Sequence, residues 1–567
     1  MRTDRHHWRT ALLGGLLWGG IAVFVSLVGL VGAFAGREIV VGVISFGRTL
    51  LLLTGLGAGY QAAQRQARGG PASALVRGIL SGVAAGAVLS GLIAVGSVVN
   101  LRRVLVSASP ELFALLSFGR GTEGIPLVIL AGAAAGVVGA VTSLLPPRVR
   151  RPVGTALGSV LLFGLFQELI QLLLQEGTVR SAIRVLLFTI DGLSLRGALI
   201  VVLLAGGAST LWGQRSAPAR LWVRQLPASQ WRLLRILALI VAGATLALLP
   251  LVAGLFLSQV LVLVGLYTLM GLGLNLEVGF AGLLDIGFVA FFAIGAYTVG
   301  LLTSIGEHGI AHLSFWTTVP IALVVSLIAG VLFGLPILRI RGDYLAIATL
   351  GFGEIIRLMV LSDFLRPWLG GSQGVLGIPK PTIGGFEFAG PESLYYITLV
   401  SSALVAFVAM RLRDSRLGRA WMALREDEDV AEAMGINLVN VKLLAYGIGG
   451  AFAGMSGAIF AVMLGSVFPH SFNLLISINV LALIIVGGMG SLPGVVVGSL
   501  FLVGLPELLR EFSDFRFLVY GAALIIMMQW RPEGLWPAAA QRRELRAEEP
   551  AGPVPETSAG AEGQVKA

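Results

Sequence analysis

The sequence predicts an all-α, polytopic integral membrane protein, a helical bundle with about sixteen apolar segments. Three observations predict it. Of 567 residues, 56% are hydrophobic and 12% charged, and the mean hydropathy of +0.90 lies far above that of soluble globular chains. Apolar runs such as 21–35, 252–275 and 441–467 approach or exceed the ~20 residues that cross a bilayer core. The 77 glycines sit among Leu, Val and Ala, as in helices that pack backbone to backbone or break inside a membrane.

Composition also excludes several classes of function. The net charge of +10 comes from arginines in short clusters between apolar runs, which read as topology signals and not as a nucleic-acid stripe. Cysteine is absent, so no disulfide framework, thiolate catalyst or Cys-ligated metal is possible. His6, His7, His308, His312 and His470 lack metal-ligand spacing, and no metal site is expected. Residues 1–10 read as a cytoplasmic lead into a first span, since no small-residue cleavage site follows.

The first six segments fall at 11–34, 39–62, 73–99, 125–145, 153–175 and 193–213. Arg2, Arg5 and Arg9 precede the first, Arg65 and Arg68 follow the second, Arg148, Arg150 and Arg151 follow the fourth, and Arg215, Arg220, Arg224, Arg232 and Arg235 follow the sixth. Positive charge stays inside, which puts the N-terminus in the cytoplasm; Arg102, Arg103, Arg120, Arg180 and Arg184 then fall outside. Residues 1–213 form an N-terminal membrane module and 214–231 a basic cytoplasmic linker. Within the module Glu168, Gln171 and Gln175 share a helical face with Gln167 beside it. That stripe suits interhelical hydrogen bonds or a polar cavity.

Ten further segments follow, at 233–255, 258–276, 284–304, 316–338, 344–361, 394–410, 443–464, 475–488, 493–510 and 514–530. They make residues 232–536 a second module and leave 537–567, rich in Pro and small polar residues, as a disordered cytoplasmic tail. Parity puts Arg339, Arg341 and the loop 411–442 inside. That loop is too charged for lipid; 418–434 holds good helix formers, and Gly435 stands where a C-terminal cap belongs. It reads either as a plain solvated loop or as a helix under the membrane whose acids and alanines seat in a soluble partner.

Glu277, Asp285, Asp343, Glu354 and Arg357 lie within or beside apolar runs. A charge there costs several kcal/mol without water or a partner, so these residues mark a lumen, an ion pair or a membrane edge. Glu354 and Arg357, three apart, can share a helix face. Gly279, Gly282, Gly287, Gly351 and Gly353 beside them permit broken helices whose backbone ends meet a polar solute. Gly450 with Gly454, and Gly494 with Gly498, have the spacing of close helix contacts. The lysines Lys380, Lys442 and Lys566 follow Pro, Val and Val, so there is no P-loop.

The loop sequence ALREDEDVAEAMGINLVNVKLLAYGIGGAFAGMSGAIFA closely resembles the coupling region of LivM-type permeases of branched-chain amino-acid ABC importers. So do the runs at 275–302, 339–360 and 484–511 and the closing RPEGL at 531–535, in the family's order, over about residues 232–536. The resemblance implies a transport subunit in the bacterial cytoplasmic (inner) membrane, both termini cytoplasmic. It implies that the loop, through Arg425, Glu426, Asp427, Glu428, Ala431, Glu432, Ala433 and Gly435, docks on an ATPase. The importer signature has Glu-Ala-Ala, three residues and Gly; here Ala431, Glu432, Ala433, Met434 and Gly435 give a shorter spacing. Glu277, Gly279, Gly282, Asp285, Asp343, Gly351, Gly353, Glu354 and Arg357 become a candidate translocation path. The implied partners are a LivH-type second permease, two ATPase subunits of LivG/LivF type and an extracytoplasmic solute-binding protein. ATP and Mg then act on the ATPase subunits and this chain carries no cofactor. Permeases for urea or amides share much of the pattern; an ion-coupled secondary transporter would need more intramembrane charge.

Overall fold

The computed structural model describes residues 2–64, 70–174, 178–189, 192–224, 228–338, 340, 342–512 and 515–538. Arg65, Arg68, Gln175, Arg339, Arg341 and nearly all of the expected tail lie outside the described residues. The chain divides into two units, Met1–Leu239 and Ile240–Ala567.

In the first unit the main helices are α1 (Arg2–Leu27), α2 (Phe46–Gln64), α3 (Pro71–Val98), α4 (Ile125–Leu144), α5 (Pro147–Leu165), α6 (Gln167–Leu173) and α7 (Leu195–Arg224). Glycine brings three of them into backbone contact. A Cβ on Gly82 of α3 would lie 2.2 Å from the Gly132 carbonyl of α4, and one on Gly59 of α2 would lie 2.1 Å from that of Gly136. No larger residue fits there, as in close-packed membrane helices. Two expected segments differ. The run 39–62 begins with strands Glu38–Val40 and Ile44–Ser45 in a four-stranded sheet, because β-branched residues around Gly42, at φ 71°, turn more readily than they wind. The run 153–175 is bent by 76° between α5 and α6. On α6 Glu168 approaches Arg37 at 3.9 Å and Gln171 donates to the Thr189 carbonyl at 3.4 Å. The expected linker is largely helical, since α7 runs to Arg224 and the next helix, α8, starts at Ala228.

Helix α8 (Ala228–Leu274) carries the boundary between units and is interrupted at Gly254, φ 71° and ψ −179°. The second unit continues with α9 (Val289–Thr303), α10 (Phe315–Ile337), α11 (Asp343–Leu361), α12 (Pro391–Arg413), α13 (Arg416–Glu426), α14 (Glu428–Ala433), α15 (Leu438–Leu464), α16 (Leu474–Gly487), α17 (Leu492–Ser499) and α18 (Phe515–Trp530). Helix α15 is the axis of this unit, buried along most of its length. Gly295 of α9 lies against Gly454, and Gly330 of α10 against the Tyr446 carbonyl. Gly454 in turn abuts Ser326, Gly450 abuts Phe291, and Gly494 and Gly498 abut the carbonyls of Gly487 and Leu483. Where α15 ends, Lys380 donates to the Val462 and Met463 carbonyls at 2.7 and 2.9 Å, a cation on the negative end of the helix. Burial holds its ammonium below the usual lysine range, with Glu387 opposing. The closing segment returns to α16: Leu535 and Trp536 donate to the carbonyls of Val486 and Gly487.

Among the described residues eleven helices are long and apolar enough to cross a membrane, twelve if the bent pair is one span. Three shorter apolar helices, Val289–Thr303, Leu492–Leu508 and Tyr520–Trp530, accompany them.

The α9–α15 contact gives a direct test. A Cβ at position 295 would sit 2.2 Å from a backbone oxygen, whereas one at Gly300 meets nothing nearer than 3.4 Å. Gly295→Ala is therefore expected to cost about 1–3 kcal/mol and Gly300→Ala about 0.5 kcal/mol or less, read as unfolding midpoints of the purified protein.

Candidate translocation and coupling site

Helix α8 does not end cleanly. After Leu274 it widens into a π-helical turn, Asn275–Phe280, and the chain then runs without regular structure to Phe288, with Gly282 at φ 73°. A helix broken at membrane depth exposes backbone groups that protein must satisfy, and side chains do so here. Asp285 Oδ1 accepts from Gly287 N at 2.7 Å, Thr349 Oγ1 of α11 from Ile286 N at 3.1 Å, and Ser477 Oγ of α16 from Val289 N at 2.9 Å. Asn275 Oδ1 accepts from Gly490 N at 2.9 Å. Gly287 lies so close to the Thr349 carbonyl that a Cβ would be 1.9 Å away.

Inside this knot Glu277 and Asp285 are neighbouring carboxyls, both buried, with the buried Tyr446 hydroxyl of α15 in their field. The two carboxyls face each other in a side-chain hydrogen bond, one carrying the proton, while among the described residues no N–H or hydroxyl group donates to Glu277 and Tyr446 Oη has no partner. Gly449 makes room for Glu277: a Cβ there would be 2.0 Å from Oε1.

The residues expected to form one path therefore separate into two groups. Glu277, Gly279, Gly282 and Asp285 belong to the enclosed break. Helix α11 carries the others: Gly353 packs on Gly287, Gly351 has open space beside it, and Glu354 and Arg357 are paired on a half-exposed face. The Arg357 Nε donates to Oε1 and Oε2 at 3.1 and 3.0 Å, with side-chain exposures of 43% for Glu354 and 30% for Arg357. Arg357 also lines a narrow crevice with Ala290, Ala293, Tyr297 and Phe472. Asp343 starts α11; its side chain lies outside the described residues.

The loop 411–442 holds two helices, not the single one expected over 418–434. Asp427 separates them: in extended conformation it accepts at Oδ1 from Asp429 N and Val430 N at 2.9 and 3.0 Å, capping α14. At the other end Gly435, φ 86°, donates to Glu432 O and Ile436 to Ala431 O, a left-handed cap that only glycine adopts freely. Side chains hold the pair onto the membrane helices. Trp421, fully buried, donates to the Val441 carbonyl at 2.9 Å. Arg425 Nη1 donates to the Gly279 carbonyl at 2.7 Å and its stem lies on Gly282. Glu428 pairs with the buried Lys442, whose Nζ also reaches the Leu338 carbonyl beyond α10 at 3.4 Å. Ala431 is buried, whereas Met422, Glu426, Asp429, Val430, Glu432, Ala433 and Met434 face outward. Beside the loop Arg413 donates to Asp414 at 2.9 Å and holds that carboxyl below the usual range.

Arg425 thus joins the charged loop directly to the turn that carries Glu277. Trp421, Lys442, Asn275, Thr349 and Tyr446 are the site residues that sequence reasoning missed. Only Lys442 carries a signal, being one of three lysines in an arginine-rich chain.

A profile of the family described as branched-chain amino acid transport system / permease component matches residues 256–528. The chain is 42% identical over 304 residues to the high-affinity branched-chain amino acid transport system permease protein LivM of Salmonella typhimurium, covering 50% of this chain and 70% of that one. It belongs to the LivM-type permease family. The LivM protein of Escherichia coli matches to the same extent. The E. coli permease protein LivH is 24% identical over 288 residues, 47% of this chain and 90% of that one. No solved structure matches. The family profile opens at 256, inside the second unit, and the helices of the first unit lie outside the match.

The tight seat of Glu277 in this permease is testable. Gly449→Ala is expected to lose about 1–3 kcal/mol of stability, and adding Glu277→Ala is expected to restore most of that, because the colliding carboxyl is gone. Purely additive losses in thermal unfolding would dissociate the two residues.

Proposed function

We propose that this chain is the membrane-spanning permease subunit of an ATP-driven, binding-protein-dependent importer of branched-chain amino acids in the bacterial cytoplasmic membrane, with both termini in the cytoplasm. The observation that carries the reading is the loop 411–442. It is charged, folded, pinned at Trp421, Arg425 and Glu428, and open on the face that bears Met422, Val430 and Met434. A solvated connector needs no such pins. A piece that receives force from a soluble motor needs both a rigid attachment to the transmembrane helices and a free surface for the motor.

The motor is a pair of ATPase subunits, which hold ATP and Mg; this chain is not itself an ATPase. The relatives named LivM and LivH support a second permease of LivH type, and an extracytoplasmic solute-binding protein delivers the substrate. The half-exposed Glu354–Arg357 pair fits this assembly, because a charge pair at membrane depth is stable against protein or water and not against lipid. The crevice beside it, between α9 and α11, lies on the translocation path, and Glu277 and Asp285 form an inner polar centre that opens when the break moves.

Vesicles holding the complete complex are expected to accumulate labelled leucine in an ATP-dependent manner and not urea; urea uptake without leucine uptake would overturn the substrate assignment. Arg425→Ala is expected to leave subunit assembly and ATP hydrolysis in place while lowering leucine taken up per ATP by about tenfold, the effect of losing a charged hydrogen bond worth ~1.5–3 kcal/mol. Unchanged coupling in that variant would remove Arg425 from force transmission.

A further inference from the structure

The first unit contains a cavity of about 150 Å³ between α1, α2, α3 and α4, near the end of the bundle away from the chain's N-terminus. Its walls are apolar, among them Ala22, Leu51, Leu89, Val128 and Ala131. The one hydroxyl on its lining apart from the mouth, that of Thr54, is already donated to the Leu51 carbonyl at 2.7 Å. An apolar space of this size stays dry and accepts a hydrocarbon group.

The mouth is different. Arg48, on the first turn of α2, is exposed and lines the opening, and among the described residues it has no ion pair or hydrogen bond. No acidic residue lines the cavity. Beside Arg48 stands Phe118, half-exposed, with φ 56°, a left-handed conformation that an aromatic residue rarely adopts and that tends to persist at ligand clamps. An unpaired arginine at the end of membrane-crossing helices calls for an anion, and the dry space behind it calls for hydrocarbon. The lining offers no carboxylate to an ammonium group, which favours an anion with an apolar tail over a zwitterionic amino acid.

We propose that this cavity binds the first few methylenes of the hydrocarbon tail of a lipid-derived anion whose carboxylate or phosphate meets Arg48. The site belongs to the unit outside the family match, so it stands or falls independently of the transport reading.

The test uses the full-length protein in detergent micelles, titrated with a dansyl-labelled undecanoate whose emission rises in apolar surroundings. Saturable binding is expected, displaced by palmitate and less well by hexadecanol, the uncharged analogue. Displacement by phosphatidylglycerol in place of palmitate would identify the anion as a phospholipid headgroup and equally support the site. Arg48→Ala, at an exposed position that spares folding, is expected to weaken binding about tenfold, Arg48→Lys less, and Ala131→Phe, which fills the space, to abolish it. Non-saturable partitioning, equal displacement by hexadecanol and palmitate, indifference to Arg48→Ala, or displacement by leucine would each overturn the proposal.

Discussion

A helix that stops inside a bilayer must have its backbone groups met by protein, and the second unit is organised around meeting that demand at residues 275–288. Asp285, Thr349, Ser477 and Asn275 each take one backbone N–H from the break or its neighbour at Gly490. Two of those acceptors, Asn275 and Asp285, come from the break itself and the others from α11 and α16, so one interruption ties together segments far apart in sequence. Glycines at 287, 353 and 449 are the geometric counterpart: each lets a backbone or carboxyl approach to a distance that a Cβ forbids. A break held so tightly is a fixed structural feature, yet it depends on several hydrogen bonds that can exchange together when a flanking helix shifts.

The position of Arg425 ties that break directly to the charged loop. Lys442 and Gly449 are seven residues apart on α15, so the loop anchor and the Glu277 carboxyl are separated by about 10 Å along the axis of that helix. Across that distance the connection runs through one guanidinium, one peptide carbonyl and a π-turn. A π-turn is an irregularity in an α-helix of a kind often found at functional sites. Displacement of α13 would act first on the Gly279 carbonyl, and the next groups along the turn are Glu277 and the Leu283 amide bonded to its carbonyl at 2.8 Å.

How far the sequence revealed this follows from which interactions are local. Helices were legible because a span is a matter of run length, and Gly435 was legible because a left-handed cap selects glycine. Hydropathy does not separate a strand from the start of a helix, so 39–62 concealed the hairpin before Phe46. It does not distinguish a capping acid from a solvated one, so Asp427 looked like one more charge in a single helix. The Glu354–Arg357 pair followed from spacing along one helix, whereas the enclosure of Glu277 depends on Gly449 and Tyr446 in a helix much later in the chain. Contacts between distant helices set that burial, and no local pattern in the sequence records them.

The two carboxyl environments also imply different duties. Glu354 is half-exposed and neutralised by its own helix neighbour, an arrangement that tolerates water without a change of fold. Glu277 has no cation beside it among the described residues and is instead hydrogen-bonded to the equally buried Asp285. Two carboxyls buried together without a cation are among the costliest features a packed core can hold, since at most one of them can keep a charge there, and they sit on the segment that Arg425 grips through the Gly279 carbonyl.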